Sequence, residues 1–137
     1  MKRALAAAGL ALAAVVVSSA SGASHVLIPG CGGADQPAYK PAAVIVACGD
    51  GNFQVVKLKW SSWTATSASG KGTAKVNTCQ PNCARGKFKS YKLNLSADKP
   101  KSCPKGKQEF SRLSYSYPHS RPSGTKATGS VSRPCTR

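Results

Sequence analysis

The sequence predicts an all-β fold, a small antiparallel β-sandwich or partly open barrel of five to seven strands that is linked by disulfides. Apolar and polar residues alternate with a period of two in several segments after residue 42, and clusters of Gly, Pro, Ser and Asn separate these segments. No segment beyond the first 23 residues has a helical period. A core this small benefits from cross-links, and the chain of 137 residues contains six cysteines that can form them.

The first two predicted strands flank a tight turn. Ala43 to Cys48 is a continuous apolar run, which is typical of a strand buried on both faces, and the turn-forming residues Gly49 to Asn52 follow it. Phe53 to Trp60 then alternates as a half-buried strand does. Its inward residues are predicted to be Val56, Leu58 and Trp60, and its outward residues Lys57 and Lys59. Asp50 is interpreted as a turn former rather than a calcium ligand, because calcium sites gather several oxygen ligands.

Further segments show the same alternation. They are Gly70 to Thr78, Tyr91 to Ser96, Phe110 to Tyr117 and a short one from Thr125 to Val131. The inward residues are predicted to be Ala74, Val76, Tyr91, Leu93, Leu95, Leu113, Tyr115 and Tyr117. The outward residues of the first two segments are Lys71, Thr73, Lys75, Asn77, Lys92, Asn94 and Ser96.

The first 23 residues have the three-part layout of a secretory signal. A basic pair, Lys2 and Arg3, precedes an apolar run from Ala4 to Val17 that is too short to span a bilayer, and small residues follow. We expect cleavage after Ala23, with Ala20 as the second choice, and hence a secreted protein. The rest of the chain is predicted to comprise an N-terminal extension at 24–42, a β-domain core at 43–119 and a basic C-terminal segment at 120–137, with one short strand.

A competing signal would anchor the protein to the cell envelope. Leu27 to Cys31 loosely resembles a lipobox, whose Cys is acylated. The fit is poor because Ser18 to His25 separate the apolar run from this motif. Free secretion is therefore the favoured prediction, with envelope anchoring as its alternative.

The even number of cysteines in an exported chain predicts three disulfides. Their members are Cys31, Cys48, Cys79, Cys83, Cys103 and Cys135. A metal site is the weaker interpretation because Cys79 and Cys83 are the only closely spaced pair, so we predict no metal and no cofactor. A Cys31–Cys135 bridge would tie the two ends of the domain together and would leave three possible pairings for the other four cysteines.

Three blocks of residues occur together in order. They are Ala47–Asn52, Leu58–Trp63 and Asn77–Gly86, which contain the strings ACGDGN, WSSW and CQPNCARG. In this combination the chain resembles a family of small secreted proteins from actinobacteria, over about Ala43 to Tyr117. The resemblance implies an exported, disulfide-linked β domain and carries over no catalytic residues.

A catalytic site would need a positioned base with a partner. His119 is the candidate base and Glu109 the only acid near it, with Arg112 or Arg121 to complete a nuclease-like group. Ten residues of extended strand would separate Glu109 from His119 by roughly 33 Å, so the two meet only if the chain folds back. We expect Glu109 to be an exposed strand residue beside a Lys and His119 to be solvated.

The two tryptophans are a candidate for sugar stacking. Trp60 and Trp63 lie three residues apart, so a regular strand would point them to opposite faces. Trp60 is in phase with the inward residues and is predicted to be in the core. Trp63 is expected either to contact a ligand at the surface or to pack under a loop.

Positive charge is the strongest functional signal in the chain. After residue 23 there are 18 Lys or Arg against four Asp or Glu, a formal charge of +14. Lysines at outward strand positions and in the middle of the chain would form a positive plane if their strands are neighbours. The candidate polyanion-binding residues are Lys57, Lys59, Lys71, Lys75, Arg85, Lys87, Lys89 and Lys92. The excess of Lys over Arg favours diffuse attraction over shaped recognition.

The sequence therefore predicts a secreted, non-catalytic, disulfide-stabilised β protein that associates with anionic polymers such as a glycan, a teichoic acid or a nucleic acid backbone. One alternative is a small secreted hydrolase such as a nuclease, which requires Glu109, His119 and an Arg to converge. Another is a protein-binding or inhibitory module, which requires an exposed apolar patch of more than a few hundred Å². The plainest alternative is that the charge only keeps an exported protein soluble.

Overall fold

Six antiparallel strands form one sheet in which every strand pairs with its neighbours in sequence. We describe residues 24–137 in a computed structural model, and the predicted signal at 1–23 lies outside the described residues. The strands are β1 (Val44–Ile45), β2 (Phe53–Trp63), β3 (Ser67–Asn77), β4 (Phe88–Cys103), β5 (Lys107–Ser116) and β6 (Thr128–Ser132). The sheet curls into a half-barrel, which confirms the all-β, disulfide-linked prediction in its partly open barrel form. A short 3₁₀ turn, Pro104–Gly106, joins β4 to β5.

The alternation predicted for the middle of the chain is confirmed by burial and register. Ala74, Leu93, Leu95 and Leu113 are each at most 1% exposed, and Tyr117 is 7% exposed. The β3–β4 register is continuous, with one partner pair at every position from Ser67↔Asp98 to Asn77↔Phe88. We call the face that carries these buried residues the inner face and the opposite side of the sheet the outer face.

Strand β2 departs from simple alternation because it contains two bulges. The register with β3 shifts between Val56 and Lys59 and again between Trp60 and Ser62. Lys57, in the first bulge, has the left-handed φ of 52°, a conformation that bulges usually give to glycine. The prediction that Val56 faces inward is therefore wrong, and the fully buried residue is Val55.

The second bulge corrects the prediction for the tryptophans. Trp60 lies opposite Gly70 and Trp63 opposite Ala68, so both rings point to the inner face. The two rings meet edge to face with their centroids 4.8 Å apart. An extra residue between them shifts the period by one, which a regular strand does not do.

The first strand is shorter than its apolar run suggests. Only Val44 and Ile45 pair with β2, and burial alternates, since Val44 and Val46 are buried whereas Ile45 is half-buried. The expectation of a strand buried on both faces is wrong, because this strand forms the edge of the sheet. The predicted turn is present: the Asn52 amide donates to Asp50 Oδ1 at 3.0 Å, a bond that lowers the pKa of Asp50.

The N-terminal segment belongs to the core. Val26 and Ile28 are 6% and 2% exposed and lie in the hydrophobic cluster. The Leu27 amide donates to the Gln108 carbonyl at 2.8 Å, and the Phe110 amide donates back to the Leu27 carbonyl at 3.0 Å. The segment thus runs parallel to the start of β5 and covers it, so that its hydrophobic residues extend the core beyond residues 43–119.

All six cysteines are paired, as the three-disulfide prediction requires. The bonds are Cys31–Cys48, Cys79–Cys83 and Cys103–Cys135. The suggested Cys31–Cys135 bridge is wrong, because Cys31 is bonded to Cys48, just after β1, and Cys135 is bonded to Cys103, at the end of β4. Within residues 24–137 we find no helix long and apolar enough to cross a bilayer.

Two charged side chains are buried where the chain ends cover the sheet. Glu109 is 1% exposed and accepts hydrogen bonds from the Thr136 amide and hydroxyl, both at 2.9 Å, so the prediction of an exposed Glu109 is wrong. Arg133 is 7% exposed, and its guanidinium contacts the Ile45 carbonyl and the Cys48 sulfur. Desolvation lowers the pKa of Arg133. The alternation of apolar and polar residues does not show that the terminal segments cover the start of β5 and bury Glu109 there.

Tyr117 provides a pH-dependent test of inner-face packing. Burial, together with the neighbouring Tyr115 and Tyr91, raises the pKa of Tyr117 to about 12. Because this pKa lies above the ordinary value near 10, its contribution to stability is present below about pH 10 and is lost as the pH rises towards 12. We expect an ultraviolet titration of the folded protein to show a tyrosinate step near pH 12 that Tyr117→Phe removes. Identical titration curves for wild type and Tyr117→Phe would contradict the burial of Tyr117 on the inner face.

Candidate functional site

Four of the predicted cationic residues share the outer face. Lys59 on β2 lies directly opposite Lys71 on β3, and Lys92 on β4 lies opposite Thr73, two residues from Lys71 and on the same face. Lys75 lies four residues after Lys71 on β3 and therefore has its side chain on the same face. Lys59, Lys71 and Lys92 are exposed and Lys75 is half-buried. We call Lys59, Lys71, Lys75 and Lys92 the sheet lysines.

Lys57 is exposed but lies in the bulge, where it has no partner in the β3 register. Burial alternates as predicted, since Lys57 and Lys59 are exposed and Leu58 between them is buried, but only Lys59 has a partner on β3. Lys57 lies next to the sheet lysines along the chain without being part of their register.

The remaining three predicted residues lie at the far end of the β3–β4 hairpin. Arg85 and Lys87 lie in the β3–β4 connection, after the loop that the Cys79–Cys83 bond closes, and all three side chains are exposed. The Lys87 amide donates to Thr78 Oγ1 at 3.3 Å. Lys89 lies opposite Val76, which gives it the parity of the inner face rather than that of Lys92. Arg85, Lys87 and Lys89 therefore form a second cationic group, in the β3–β4 connection and at the start of β4.

The sheet lysines have no acidic partners. Among residues 24–137 the one salt bridge joins Asp98 to Arg112 across β4 and β5, with Arg112 Nε 2.7 Å from Asp98 Oδ1. This bond lowers the pKa of Asp98 and raises that of Arg112. The Asp35 carboxylate accepts a bond from the Cys31 amide at 2.7 Å, while Asp50 lies in its turn and Glu109 is buried. The four carboxylates are thus each bonded away from the lysines.

A row of serines crosses the outer face beside the lysines. The register aligns one serine from each of five consecutive strands, β2 to β6: Ser62, Ser69, Ser96, Ser114 and Ser130. The next row contains Lys71, Asn94, Ser116 and Thr128. A shallow depression of about 660 Å³ lies over the second row and over the four serines of the first row on β3 to β6, and Ser61 rather than Ser62 lines it on β2. We call it the hydroxyl trough. The outward position of Ser96 is visible in the sequence, but the alignment of five serines depends on register.

The candidate catalytic residues do not converge. Glu109 is near the start of β5 and is buried under the chain ends, whereas His119 is exposed beyond the other end of the same strand. Arg112 is bonded to Asp98, and Arg121 donates to the Thr125 carbonyl at 3.0 Å. The group that a nuclease would need is therefore not formed by these residues. In the described part of the chain, no three His, Cys, Asp or Glu side chains are grouped to hold a metal ion.

Trp63 packs under the N-terminal segment. Its indole nitrogen donates to the Val26 carbonyl at 3.1 Å, and its ring meets Phe110 with centroids 5.9 Å apart. The exposed large hydrophobic residues of the described chain are Tyr39 and Phe88, at 42% and 47%. Tyr39 contacts Trp63 near the start of β3, whereas Phe88 lies opposite Asn77 at its other end. The two do not form one apolar patch.

These features define a small disulfide-linked β half-barrel with a polar, lysine-bearing outer face. No protein-family model, curated protein or solved structure matches the chain. The family resemblance of the three sequence blocks therefore stays a prediction, and the proposals below depend on the geometry and charge of the molecule.

Proposed function

We propose that the protein is a secreted, non-catalytic β protein that associates electrostatically with anionic polymers of the cell envelope or the extracellular space. The observation that carries this proposal is the direct cross-strand pairing of Lys59 with Lys71, on a face where no carboxylate balances the sheet lysines. Like charges placed opposite each other destabilise a sheet. A bound polyanion would offset that repulsion, and the formal charge of +14 would attract it from a distance.

The proposed location follows from the cysteines together with the N-terminal sequence. Disulfides persist in oxidising compartments, and the three bonds agree with the export predicted from residues 1–23. The Cys31–Cys48 bond also uses the thiol that acylation of a lipobox cysteine would require. This favours free secretion over an envelope anchor.

The salt dependence of binding tests the proposal. If the face neutralises about five phosphates of duplex DNA, used as a model polyanion, log K should fall against log salt with a slope near −4.5. Affinity should then drop several hundredfold between about 50 and 200 mM salt. Changing the four sheet lysines together to Gln should reduce the slope to about −0.9, because four of five contacts are lost. Fluorescence anisotropy at several salt concentrations measures both slopes.

A charge-matched variant serves as the control. Gln at Lys99, Lys105, Lys107 and Arg137 removes the same charge from exposed positions away from the sheet lysines. Arg133 is unsuitable as a control because it is buried against Cys48. If the two quadruple variants weaken DNA binding equally, affinity depends on net charge alone and not on the position of the sheet lysines. Absence of binding to DNA, heparin, polyphosphate and polygalacturonate at 50 mM salt would reject the proposal.

A further inference from the structure

We infer that the hydroxyl trough binds the sugar hydroxyls of an acidic polysaccharide, with the adjoining lysines holding its anionic groups. This inference rests on the proposed function and narrows the polymer from any polyanion to a carboxylated glycan. Lys71, one of the sheet lysines, lines the trough.

The spacing of the trough suits an extended chain of repeating units. Neighbouring strands lie about 4.8 Å apart, so the four serines of the first row that line the trough, on β3 to β6, extend over roughly 14 Å. The second row lies one two-residue step along the strands, roughly 6.6 Å away. The two rows thus present a regular two-dimensional set of hydroxyl groups, with Asn94 Nδ2 donating to Ser116 Oγ at 3.3 Å within the second row.

Several of these hydroxyls are free to bind a ligand. Ser96 Oγ donates weakly to the Ser114 carbonyl at 3.4 Å, whereas the hydroxyls of Ser69, Ser114 and Ser130 make no hydrogen bond to other side chains or to the backbone of residues 24–137. A serine hydroxyl carries one donor and two acceptor sites. Each can therefore exchange water for a sugar hydroxyl, which has the same donor and acceptor capacity.

The chemistry of the trough favours a glycan over a nucleic acid. Binding of single-stranded nucleic acid uses exposed aromatic rings for base stacking, and every outward side chain in the two rows is Ser, Thr, Asn or Lys. A nucleic acid carries one phosphate per nucleotide, and its binding strengthens with each phosphate that a Lys or Arg neutralises. Here the cations lie at one end, where Lys59 and Lys71 pair, while the rows across β4 to β6 are neutral. A polymer rich in hydroxyls with intermittent carboxylates matches this distribution.

Substitution of three central serines separates the trough from the lysines. We expect Ser69→Ala, Ser114→Ala and Ser130→Ala together to weaken binding to polygalacturonate about tenfold or more, through the loss of several hydrogen bonds. Binding to polyphosphate, which has no sugar hydroxyls, should change less than about twofold. The sheet-lysine variant should weaken both. Affinities come from biolayer interferometry at low salt, and unchanged thermal midpoints show that each variant is folded.

Each outcome decides between the two proposals. Alanine at Ser24, Ser120 and Ser123, three exposed serines outside the trough, is the matched control and should leave both affinities unchanged. If the trough variant binds polygalacturonate as wild type does while the lysine variant does not, the trough is only a solvated face and the electrostatic function stands. If wild type prefers polyphosphate or DNA to polygalacturonate, the glycan assignment is wrong. If wild type binds none of these polymers, both proposals are wrong.

Discussion

Replacing Cys103 and Cys135 together by serine should lower the free energy of unfolding by about 3.7 kcal/mol in the chain-entropy description of a disulfide. The bond closes the longest of the three loops, with a sequence separation of 32 residues. It also holds the C-terminal segment over β5, where Thr136 donates two hydrogen bonds to the buried Glu109 carboxylate. We expect urea denaturation to show the loss as a lower midpoint.

The other two bonds provide the comparison. The Cys31–Cys48 loop has a separation of 17 residues and the Cys79–Cys83 loop one of four. The same description gives about 3.1 kcal/mol for the first and about 1.9 kcal/mol for the second. The order of destabilisation should therefore follow loop length. A Cys79 and Cys83 double variant that is the least stable of the three would contradict this order, and labelled thiols in unreduced, denatured wild type would contradict the pairing itself.

Phe110→Ala should destabilise the protein by about 3–5 kcal/mol, the range for truncating a buried aromatic residue. Phe110 is fully buried, meets Trp63 edge to face and bonds through its amide to Leu27. The cavity would lie where β5, the N-terminal segment and the aromatic residues of β2 meet, so the surrounding structure has little freedom to collapse into it. Chemical denaturation of the folded variant measures the change.

Phe88→Ala makes the same truncation at a residue that is 47% exposed. We expect a change within about 0.5 kcal/mol, which is usual for surface substitutions. Similar losses for Phe88 and Phe110 would show that the core is not centred on the inner face. The pair thus tests the assignment of the two faces independently of any ligand.

Stability and binding are separable in this fold because they depend on opposite sides of one sheet. The inner face carries the hydrophobic cluster, while the sheet lysines and the serines of the trough lie outside it. Exposed polar side chains contribute little to folding. Variants of the outer face should therefore change affinity with almost unchanged thermal midpoints, which makes their binding data interpretable.

The alternation of apolar and polar residues correctly predicted which side chains face inward wherever the strands are regular. Strands β3 and β4 pair without interruption, and their alternation correctly predicted the inward Ala74, Leu93 and Leu95. The alternation gave wrong predictions in β2, which contains two bulges. Val55 rather than Val56 faces inward before the bulge at Lys57, and the second bulge places Trp60 and Trp63 on the same face. Nothing in the residue types marks these bulges, because Lys57 adopts a φ that usually signals glycine.

By itself, the sequence determined the class of secondary structure, the number of disulfides and the strongly positive charge, because period, composition and cysteine count belong to the chain whatever its fold. Only the tertiary structure decided which cysteines pair, that Glu109 is buried, and that Lys59 lies opposite Lys71 beside a row of five serines. These are relations between residues distant in sequence. They depend on strand register and on how the chain ends cover the sheet. A shift of one residue in the pairing of any two neighbouring strands would remove the alignment of the lysines and serines.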